Sequence, residues 1–232
     1  MSTVAAHVPA GGVVADIGTD HARLPVRLVL EGRCGRVIAT DASPAALEAA
    51  GRTVRAYRLG DSIDLRLGDG LGVLAPGETS TIVVAGIGGL TIVSILAAGI
   101  GVARAQRMLV LQPMTHSFSL RRWALENGMG IVEEDLAQEG DRFYQVICLD
   151  PSDPSAGFAG ATGCPVDIAL ELGPVLLRHR HALLRPMVLG LLRECQSVLD
   201  RMRGTVSRND PRFLKWIERR DRLEGVLECL SG

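Results

Sequence analysis

Along the first 113 residues, short apolar runs rich in β-branched residues alternate with stretches in which apolar positions recur every three or four residues. The short runs are typical of strands and the longer stretches of helices. Strands are predicted at Val13 to Gly18, Arg36 to Asp41, Ile63 to Gly70, Thr81 to Gly86 and Arg107 to Pro113. Helices are predicted from His21 to about Arg33, from Pro44 onward because proline favours the first helical position, and from Ser119 to Asn127 before Gly128.

The next segment, Ile131 to Asp150, predicts two strands joined at Glu139-Gly140-Asp141 as a β-hairpin. Five strands that alternate with helices, followed by an antiparallel pair, predict an α/β fold with a doubly wound, Rossmann-like sheet and an antiparallel edge hairpin. Sheets of this kind bind ligands beyond the carboxyl ends of their strands. We therefore expect the functional residues at those ends.

No charged residue occurs from Thr81 to Ala103, which is long enough for a transmembrane helix. Glycines interrupt this segment, and its Val/Ile run stops at the first of them, Gly86. A buried strand, a glycine turn and a buried helix account for the same residues. We therefore expect no membrane span.

The C-terminal part is predicted to be helical after Pro151 to Pro165, a segment rich in Pro, Gly, Ser and Ala. Apolar residues recur at intervals of three and four in two stretches separated by Gly204 to Pro211, which predicts an antiparallel helical hairpin. They are Val188, Leu192, Cys195, Leu199 and Met202, and then Phe213, Trp216, Ile217, Leu223, Val226, Leu227 and Leu230. Two domains are expected, with the sheet in residues 1–160 and the helical hairpin in residues 161–232.

Composition and charge exclude several classes of protein. The 232 residues are 47% hydrophobic, so the chain is not largely disordered, and a net charge of −1 excludes a uniformly basic surface. Residues 201–222 nevertheless hold eight basic and three acidic residues. This cluster is typical of a solvated helix face or of a surface that contacts phosphates. The cations that would form such a surface are Arg201, Arg203, Arg208, Arg212, Lys215 and Arg219.

The five cysteines lie far apart and form no CxxC pair, so neither a zinc ribbon nor a disulfide framework is predicted. The histidines show no metal-ligand spacing, and we expect no metal site. The first residues, MSTVAAHVPAGG, lack the basic and apolar regions of a signal peptide. These features are typical of a cytoplasmic protein with reduced thiols, and they leave the oligomeric state open.

Acidic residues stand at the ends of three predicted strands. Asp16 and Asp20 flank Gly18, which permits a tight turn and close approach of a ligand. Asp41 ends the second strand, where an acidic side chain can bind ribose hydroxyls, and Asp69 follows the third, where it can accept from an adenine amine. The pattern indicates an adenosine-containing cofactor. The chain has no GxGxxG motif after the first strand, and Asp16 and Asp20 repel a diphosphate but suit a sulfonium or ammonium group, which argues against NAD.

Taken together, the motifs DIGTDHARLP, ATD, LGDGL, VVAGIGG, VLQP and LRRW, with a later FYQV, resemble the TrmK family. Its members are class I S-adenosylmethionine (SAM)-dependent tRNA (adenine-N1)-methyltransferases that modify adenine 22 near the D-loop. The resemblance runs from about Val4 to Asp150, and ELGPVLL extends it toward the helical hairpin. It implies that residues 1–160 are a SAM-binding methyltransferase domain and that residues 161–232 are a coiled-coil-like appendage that binds tRNA.

The resemblance also implies roles for individual residues. SAM would be held by Asp16, Gly18, Thr19, Asp20, His21, Asp41, Asp69, Gly70, Ala85 and Gly86. Of these, Asp41 would bind the ribose, and Asp69 and Gly70 the adenine. Gly86 and Gly88 would leave room for the substrate base beside the transferred methyl group, and Gln112 and Pro113 would help form the base pocket.

Three positions depart from the family pattern. Met114 stands where the family usually has Asn after LQP, Arg23 replaces an aromatic residue, and Ile87 replaces Met. Met114 removes a polar group from the expected base pocket, which leaves two alternatives open. One is a SAM-dependent methyltransferase that acts on another RNA site or on a small molecule, and the other is a non-catalytic module that binds SAM and RNA.

Overall fold

The computed structural model describes residues 1–154, 164–207 and 209–231. The strands lie within about three residues of their predicted ends. Their bounds are β1 (Val13–Ile17), β2 (Arg36–Asp41), β3 (Ile63–Leu67), β4 (Thr81–Ile87), β5 (Met108–Pro113), β6 (Gly130–Glu139) and β7 (Arg142–Asp150). A short 3-10 helix, Gly70–Val73, follows β3.

The seven strands form one sheet in the order β3-β2-β1-β4-β5-β7-β6. The first five strands are parallel, whereas β7 runs antiparallel to both β5 and β6. The chain order reverses beside β1, because β2 and β3 lie on one side of it and β4 and β5 on the other. The predicted doubly wound, Rossmann-like sheet with an antiparallel edge hairpin is therefore confirmed.

The first six helices of the chain cover the two faces of this sheet, and the last four form its C-terminal part. They are α1 (Ser2–Ala6), α2 (Arg23–Leu30), α3 (Pro44–Ala56), α4 (Gly89–Ala98), α5 (Ile100–Arg104), α6 (Ser117–Glu126), α7 (Val166–Leu172), α8 (Pro174–Arg178), α9 (Leu184–Met202) and α10 (Pro211–Ser231). Pro44 occupies the first turn of α3 as expected, and Ser43 caps it by accepting from the N–H of Ala46.

Alternate residues of the strands feed two separate cores, as the period of two in a strand requires. One core joins Ile38 and Ile82 to α4, α5 and α6, and the other joins Val37 and Val83 to α1, α2 and α3. The uncharged segment Thr81 to Ala103 forms β4, α4 and most of α5. Among the described residues, no helix is long and apolar enough to span a membrane.

A third apolar core forms between the C-terminal helices and the β6–β7 hairpin. Val188 and Cys195 of α9 pack with Leu223 and Val226 of α10, and Leu136 of β6 belongs to the same cluster. The predicted helical hairpin is thus formed by α9 and α10. The boundary predicted at residues 160 and 161 lies outside the described residues and stays a prediction.

Candidate active site

The turn after β1 places a buried carboxylate at the edge of the sheet. Asp16 is only 4% exposed, and its Oδ2 accepts a hydrogen bond of 2.8 Å from the hydroxyl of Thr19. Gly18 has φ +74°, and the backbone N–H groups of Gly18 and Thr19 both donate to the carbonyl of Thr40 at 2.9 Å. Burial raises the pKa of Asp16 to about 6. The fold therefore buries a carboxyl group whose ionisation is unfavourable, and a cation bound beside it would stabilise the charged form.

Asp41, at the end of β2, shapes the same turn. Its Oδ2 accepts from the backbone N–H of Asp20 at 3.0 Å, and its Oδ1 accepts from the N–H of Ser43 at 2.9 Å. Asp20 itself has φ +52°, a left-handed conformation that costs energy for a residue with a side chain. The Asp41 carboxylate thus stabilises the strained backbone from which Asp20 and His21 project. Each of its oxygens keeps a second lone pair for a ligand.

The ends of β4 and β5 are joined by a side-chain amide. Gly86 has φ +80°, and its N–H donates to Oε1 of Gln112 at 3.0 Å. Nε2 of the largely buried Gln112 lies 3.3 Å from the carbonyl oxygen of Pro113 and 3.5 Å from Sδ of Met114. The amide orientation is therefore fixed, with its acceptor toward β4 and its donor group toward the loop after β5.

Close backbone approach explains Gly89, the second of the two glycines that follow β4. The N–H of Gly89 donates to the carbonyl of Thr115 at 2.9 Å, and a Cβ on Gly89 would lie 2.5 Å from that oxygen. A Cβ on Gly88 would lie 3.5 Å from the hydroxyl of Thr115, which is ordinary contact. Gly89 is therefore required for the start of α4 to pack on the loop after β5, while Gly88 has space beside it.

A cavity of about 640 Å³ opens between the turn after β1 and the end of β4. Seven of the ten residues predicted to hold a cofactor line it, together with Gln112. They are Asp16, Gly18, Thr19, Asp20, His21, Ala85 and Gly86. Asp41 adjoins the cavity through its bond to Asp20. Asp69 and Gly70 lie after β3 and outside the lining of this cavity, where Gly70 starts the 3-10 helix with φ +55°.

A larger cleft of about 1080 Å³ lies on the other side of Met114, between the loop after β5, the β6–β7 hairpin and the C-terminal helices. Phe118 and Phe143 provide aromatic surface in it, and its charged lining is mixed, with Arg193 and Arg219 beside Asp141, Glu171 and Glu194. Sequence patterns did not reveal this cleft, because its walls come from segments that are far apart along the chain. Gln112 lines the first cavity and touches Met114, which lines the cleft, so the two spaces meet at this pair.

The predicted phosphate-contacting cations occupy α9, α10 and the turn between them. Arg201, Arg203, Arg212 and Lys215 are exposed, with Arg203 paired to Asp200 and Arg212 to Asp210. Arg208 lies outside the described residues.

Arg219 differs from the other cations, since its guanidinium contacts Glu171 at 2.5 Å and lies 5.1 Å from the ring centroid of Trp216. Arg219 thus joins α10 to α7 and is not a freely exposed cation, while its contact with phosphate stays a prediction.

Comparisons with known proteins agree with this geometry. A family model described as a methyltransferase domain matches residues 1–147. The tRNA (adenine(22)-N(1))-methyltransferase of Bacillus subtilis (strain 168) is 30% identical over 231 residues, which is 100% of this chain and 95% of that protein.

Solved structures show the same likeness in three dimensions, over nearly the whole chain. The B. subtilis M1A22 tRNA methyltransferase TrmK superposes with a TM-score of 0.86 at 29% identity, covering 97% of this chain and 96% of the other. A Streptococcus pneumoniae protein described as a tRNA (m1A22) methyltransferase, solved with S-adenosyl-L-methionine, gives a TM-score of 0.79 at 25% identity and covers 97% of each chain.

Proposed function

The chain belongs to the TrmK family of tRNA (adenine(22)-N(1))-methyltransferases, and from this premise we propose that it transfers the methyl group of SAM to N1 of adenine 22 in tRNA. The observation that carries the proposal is the cavity beside the buried Asp16. Seven predicted cofactor residues from the ends of β1 and β4 converge there. The substrate is inferred from the relatives, and the cavity offers a binding site whose charge fits the cofactor.

The residues of the cavity fit a positively charged nucleoside. Asp16 is buried and forms no ion pair with another described residue, and its pKa of about 6 reflects that missing compensation. A ligand ammonium or sulfonium close to Asp16 would stabilise the carboxylate by charge–charge attraction in a weakly solvated site. Asp20 adds an exposed carboxylate at the rim. Two acidic groups on one wall suit SAM and disfavour a nucleotide with a diphosphate.

We assign the adenosine half of the cofactor to the neighbouring strand ends. Asp41 would accept the ribose hydroxyls with the lone pairs that Asp20 and Ser43 leave free. Asp69 is exposed at the end of β3, where it can accept from the exocyclic amine of adenine, and the backbone of Gly70 lies next to it. Parallel strands β1, β2 and β3 are adjacent, so these groups follow one another along one edge of the sheet.

When bound, SAM supplies a methyl group that is attached to a positively charged sulfur and is ready for nucleophilic attack. Adenine N1 is neutral near pH 7 and carries an in-plane lone pair, so the protein needs no strong base to activate it. The work of Gly86, Gly88, Gln112 and Pro113 is then to position the base and exclude water. Correct positioning of two reactants can lower a barrier by roughly 7–11 kcal/mol.

The substrate base would reach this point through the cleft between the two parts of the chain. An adenine held in tRNA tertiary structure must be swung out of its stack, at a cost of a few kcal/mol. Aromatic rings on the cleft wall, Phe118 and Phe143, are suitable stacking surfaces for RNA bases. The exposed cations of α9 and α10 would bind the tRNA backbone from outside the cleft. A tRNA substrate supports the cytoplasmic location that the sequence predicts.

The decisive experiment is methylation of an unmodified tRNA transcript by the purified protein with radiolabelled SAM, followed by mapping of the modified base. We expect one methyl group per tRNA at N1 of adenine 22 and no incorporation when that adenine is replaced by guanine. Methylation at another base would favour the alternative in which Met114 alters the base pocket. SAM binding without transfer to any RNA would favour a non-catalytic module.

A further inference from the structure

Arg121 and Glu134 form an ion pair in the interior of the molecule. Nε of Arg121 donates to Oε1 of Glu134 at 2.6 Å, and both side chains are 0% exposed. Arg121 belongs to α6, and Glu134 to β6. An isolated charge in such a place is very unfavourable, so the pair persists only because every remaining donor and acceptor around it is satisfied.

The partners of Arg121 come from the C-terminal helices and from β7. Its Nη1 donates to the carbonyls of Leu170 and Glu171 at 2.9 and 3.2 Å, at the end of α7. Its Nη2 donates to Oε1 of Gln145 at 2.6 Å. One guanidinium therefore binds the sheet and the first C-terminal helix at the same time.

Glu134 completes the connection on the other side. Its Oε2 accepts from the backbone N–H of Val175 at 2.8 Å and faces that of Leu176 at 3.4 Å, both in the first turn of α8. Between α7 and α8 stands Gly173, with φ +111°. A Cβ at Gly173 would lie 2.8 Å from Oε2 of Glu134 and 3.0 Å from Nη2 of Arg121. The glycine of the ELGP motif thus allows the chain to pass against the ion pair.

The connection continues on both sides into the cleft. Gln145 lines the cleft, and its Nε2 lies 3.7 Å from Sδ of Met187 on α9. Glu171, whose carbonyl binds Arg121, holds Arg219 of α10 with its side chain. On the other side, α6 begins at Ser117, directly after the loop that contains Met114. The ion pair therefore lies between the loop next to Gln112 and the two helices that would hold tRNA.

We propose that Arg121 and Glu134 are positioning residues, which hold the C-terminal helices in the orientation that presents the tRNA base to the loop after β5. The inference rests on the proposed function for its substrate, but its structural part concerns the orientation of the helices alone. A buried ion pair adds little net stability compared with apolar residues of similar volume, whereas its directional hydrogen bonds admit few arrangements. Its role here is to select one orientation.

The test exploits this difference between stability and orientation. The double variant Arg121→Met/Glu134→Leu replaces the pair by apolar side chains of similar size and avoids the unpaired buried charge that Arg121→Ala leaves. Because it also removes the partners of the Leu170 carbonyl and the Val175 N–H, its folding is first checked by circular dichroism and its melting temperature. Arg107→Ala is the matched control, because Arg107 is an exposed arginine just before β5 that lines neither the cavity nor the cleft. We expect the double variant to bind SAM within about twofold of the wild type, since no cavity residue is changed.

In the same variant, kcat/KM for tRNA should fall about tenfold or more, because small misplacements of a substrate reduce rates strongly. Unchanged tRNA kinetics in a folded double variant would contradict the proposal, and so would a loss of SAM affinity as large as the loss for tRNA. If the wild type methylates no tRNA, the proposed function fails, and orientation is then measured directly.

The direct measurement is the distance distribution between a spin label on the exposed Cys229 of α10 and one at Arg52→Cys on α3, in a Cys164→Ser background. The wild type should give one narrow distribution and the double variant a broad or displaced one. Equal widths and positions would overturn the proposal whatever the substrate.

Discussion

Gly86 donates its backbone N–H to Oε1 of Gln112 across the ends of β4 and β5, at 3.0 Å. The contact couples the cofactor cavity to the loop that carries Met114, because the same amide faces Sδ of Met114 through its other end. Two neighbouring strands are thereby fixed at the place where the cofactor and the substrate base would meet.

Gln112→Ala should reduce kcat for tRNA methylation by about 10- to 100-fold, since it leaves the Gly86 N–H without its acceptor and frees the loop after β5, an effect of about 1–3 kcal/mol. Gln112→Glu retains an acceptor for the Gly86 N–H, so its kcat should fall less than that of Gln112→Ala. Single-turnover rates with saturating SAM would measure both. Equal losses in the two variants would show that the bond to Gly86 is unimportant.

The buried Asp16 makes SAM binding dependent on pH. Its pKa lies near 6 in the free protein, and a cationic ligand binds its charged form, so SAM affinity should fall by up to about tenfold per pH unit below pH 6. Asp16→Asn should lack this dependence and bind SAM weakly throughout. Calorimetric titrations between pH 5 and 8 would show whether the two curves differ in slope.

The same group opposes folding when it is charged. Because the folded-state pKa of Asp16 is raised, its ionisation costs stability above about pH 6, and the cost disappears as the pH falls below 4. Asp16→Asn should therefore stabilise the free protein at pH 8, by roughly 2–3 kcal/mol at most. A variant that is less stable at pH 8 would show that the carboxylate has a compensating partner.

Asp41→Ala should weaken SAM binding by about 1–3 kcal/mol, because it removes a charged acceptor from the ribose and from the strained backbone of Asp20. Asp41→Asn keeps one acceptor oxygen, so its SAM affinity should lie between those of Asp41→Ala and the wild type. Asp61→Ala, which removes an exposed carboxylate next to β3, controls for the change in net charge. An affinity unchanged in Asp41→Ala would refute the assignment of the ribose.

The combined change Arg208→Ala/Arg212→Ala/Lys215→Ala should weaken tRNA binding and flatten its dependence on salt, with SAM affinity retained. The matched control is Arg52→Ala/Arg55→Ala/Arg58→Ala, which removes three cations near the end of α3. Filter binding would measure the tRNA affinity at salt concentrations from about 50 to 300 mM, the range in which phosphate contacts are screened. If both triple variants behave alike, the hairpin is not the docking surface.

Arg219→Ala is expected to act differently, through loss of the ion pair with Glu171. It should lower the melting temperature and raise the KM for tRNA together, because α10 would lose its attachment to α7. A rise in KM without any change in melting would instead support a direct contact with RNA.

His7 connects α1 to β6, since its Nε2 lies 2.8 Å from Oδ2 of Asp135 and its Nδ1 3.2 Å from Oε2 of Glu133. Burial alone would lower the pKa of His7, but the two carboxylates outweigh it and raise the pKa, while His7 helps lower that of Asp135. The stabilisation from His7 is thus fully present below about pH 6.5, where histidine is protonated even in the unfolded chain, and is lost as the pH rises through the higher pKa of the folded state.

His7→Ala should therefore destabilise the protein more at pH 5.5 than at pH 8.5. Urea unfolding at the two pH values would measure the difference, with the exposed His179→Ala as the control. An equal loss at both pH values would mean that His7 acts by packing and not by charge.

Much of this molecule follows from short-range patterns. The periods of apolar residues predicted the seven strands and the C-terminal helical hairpin, because burial of one face requires that spacing in any sheet or helix. Strand ends were less certain: the strand expected to reach Gly70 stops at Leu67, since Gly70 takes φ +55° and starts a 3-10 helix. The acidic residues at strand ends were identified because a parallel sheet brings those ends together.

Contacts between distant segments were decided only by the tertiary structure. The sequence placed Arg219 among the phosphate-contacting cations, whereas folding brings it to Glu171, which is 48 positions away. Likewise, the arginines of LRRW look equivalent along the chain, yet Arg121 is fully buried against Glu134 and Arg122 is exposed. Local periodicity fixes which face of an element is apolar, but the partner of a charged side chain depends on how whole elements pack.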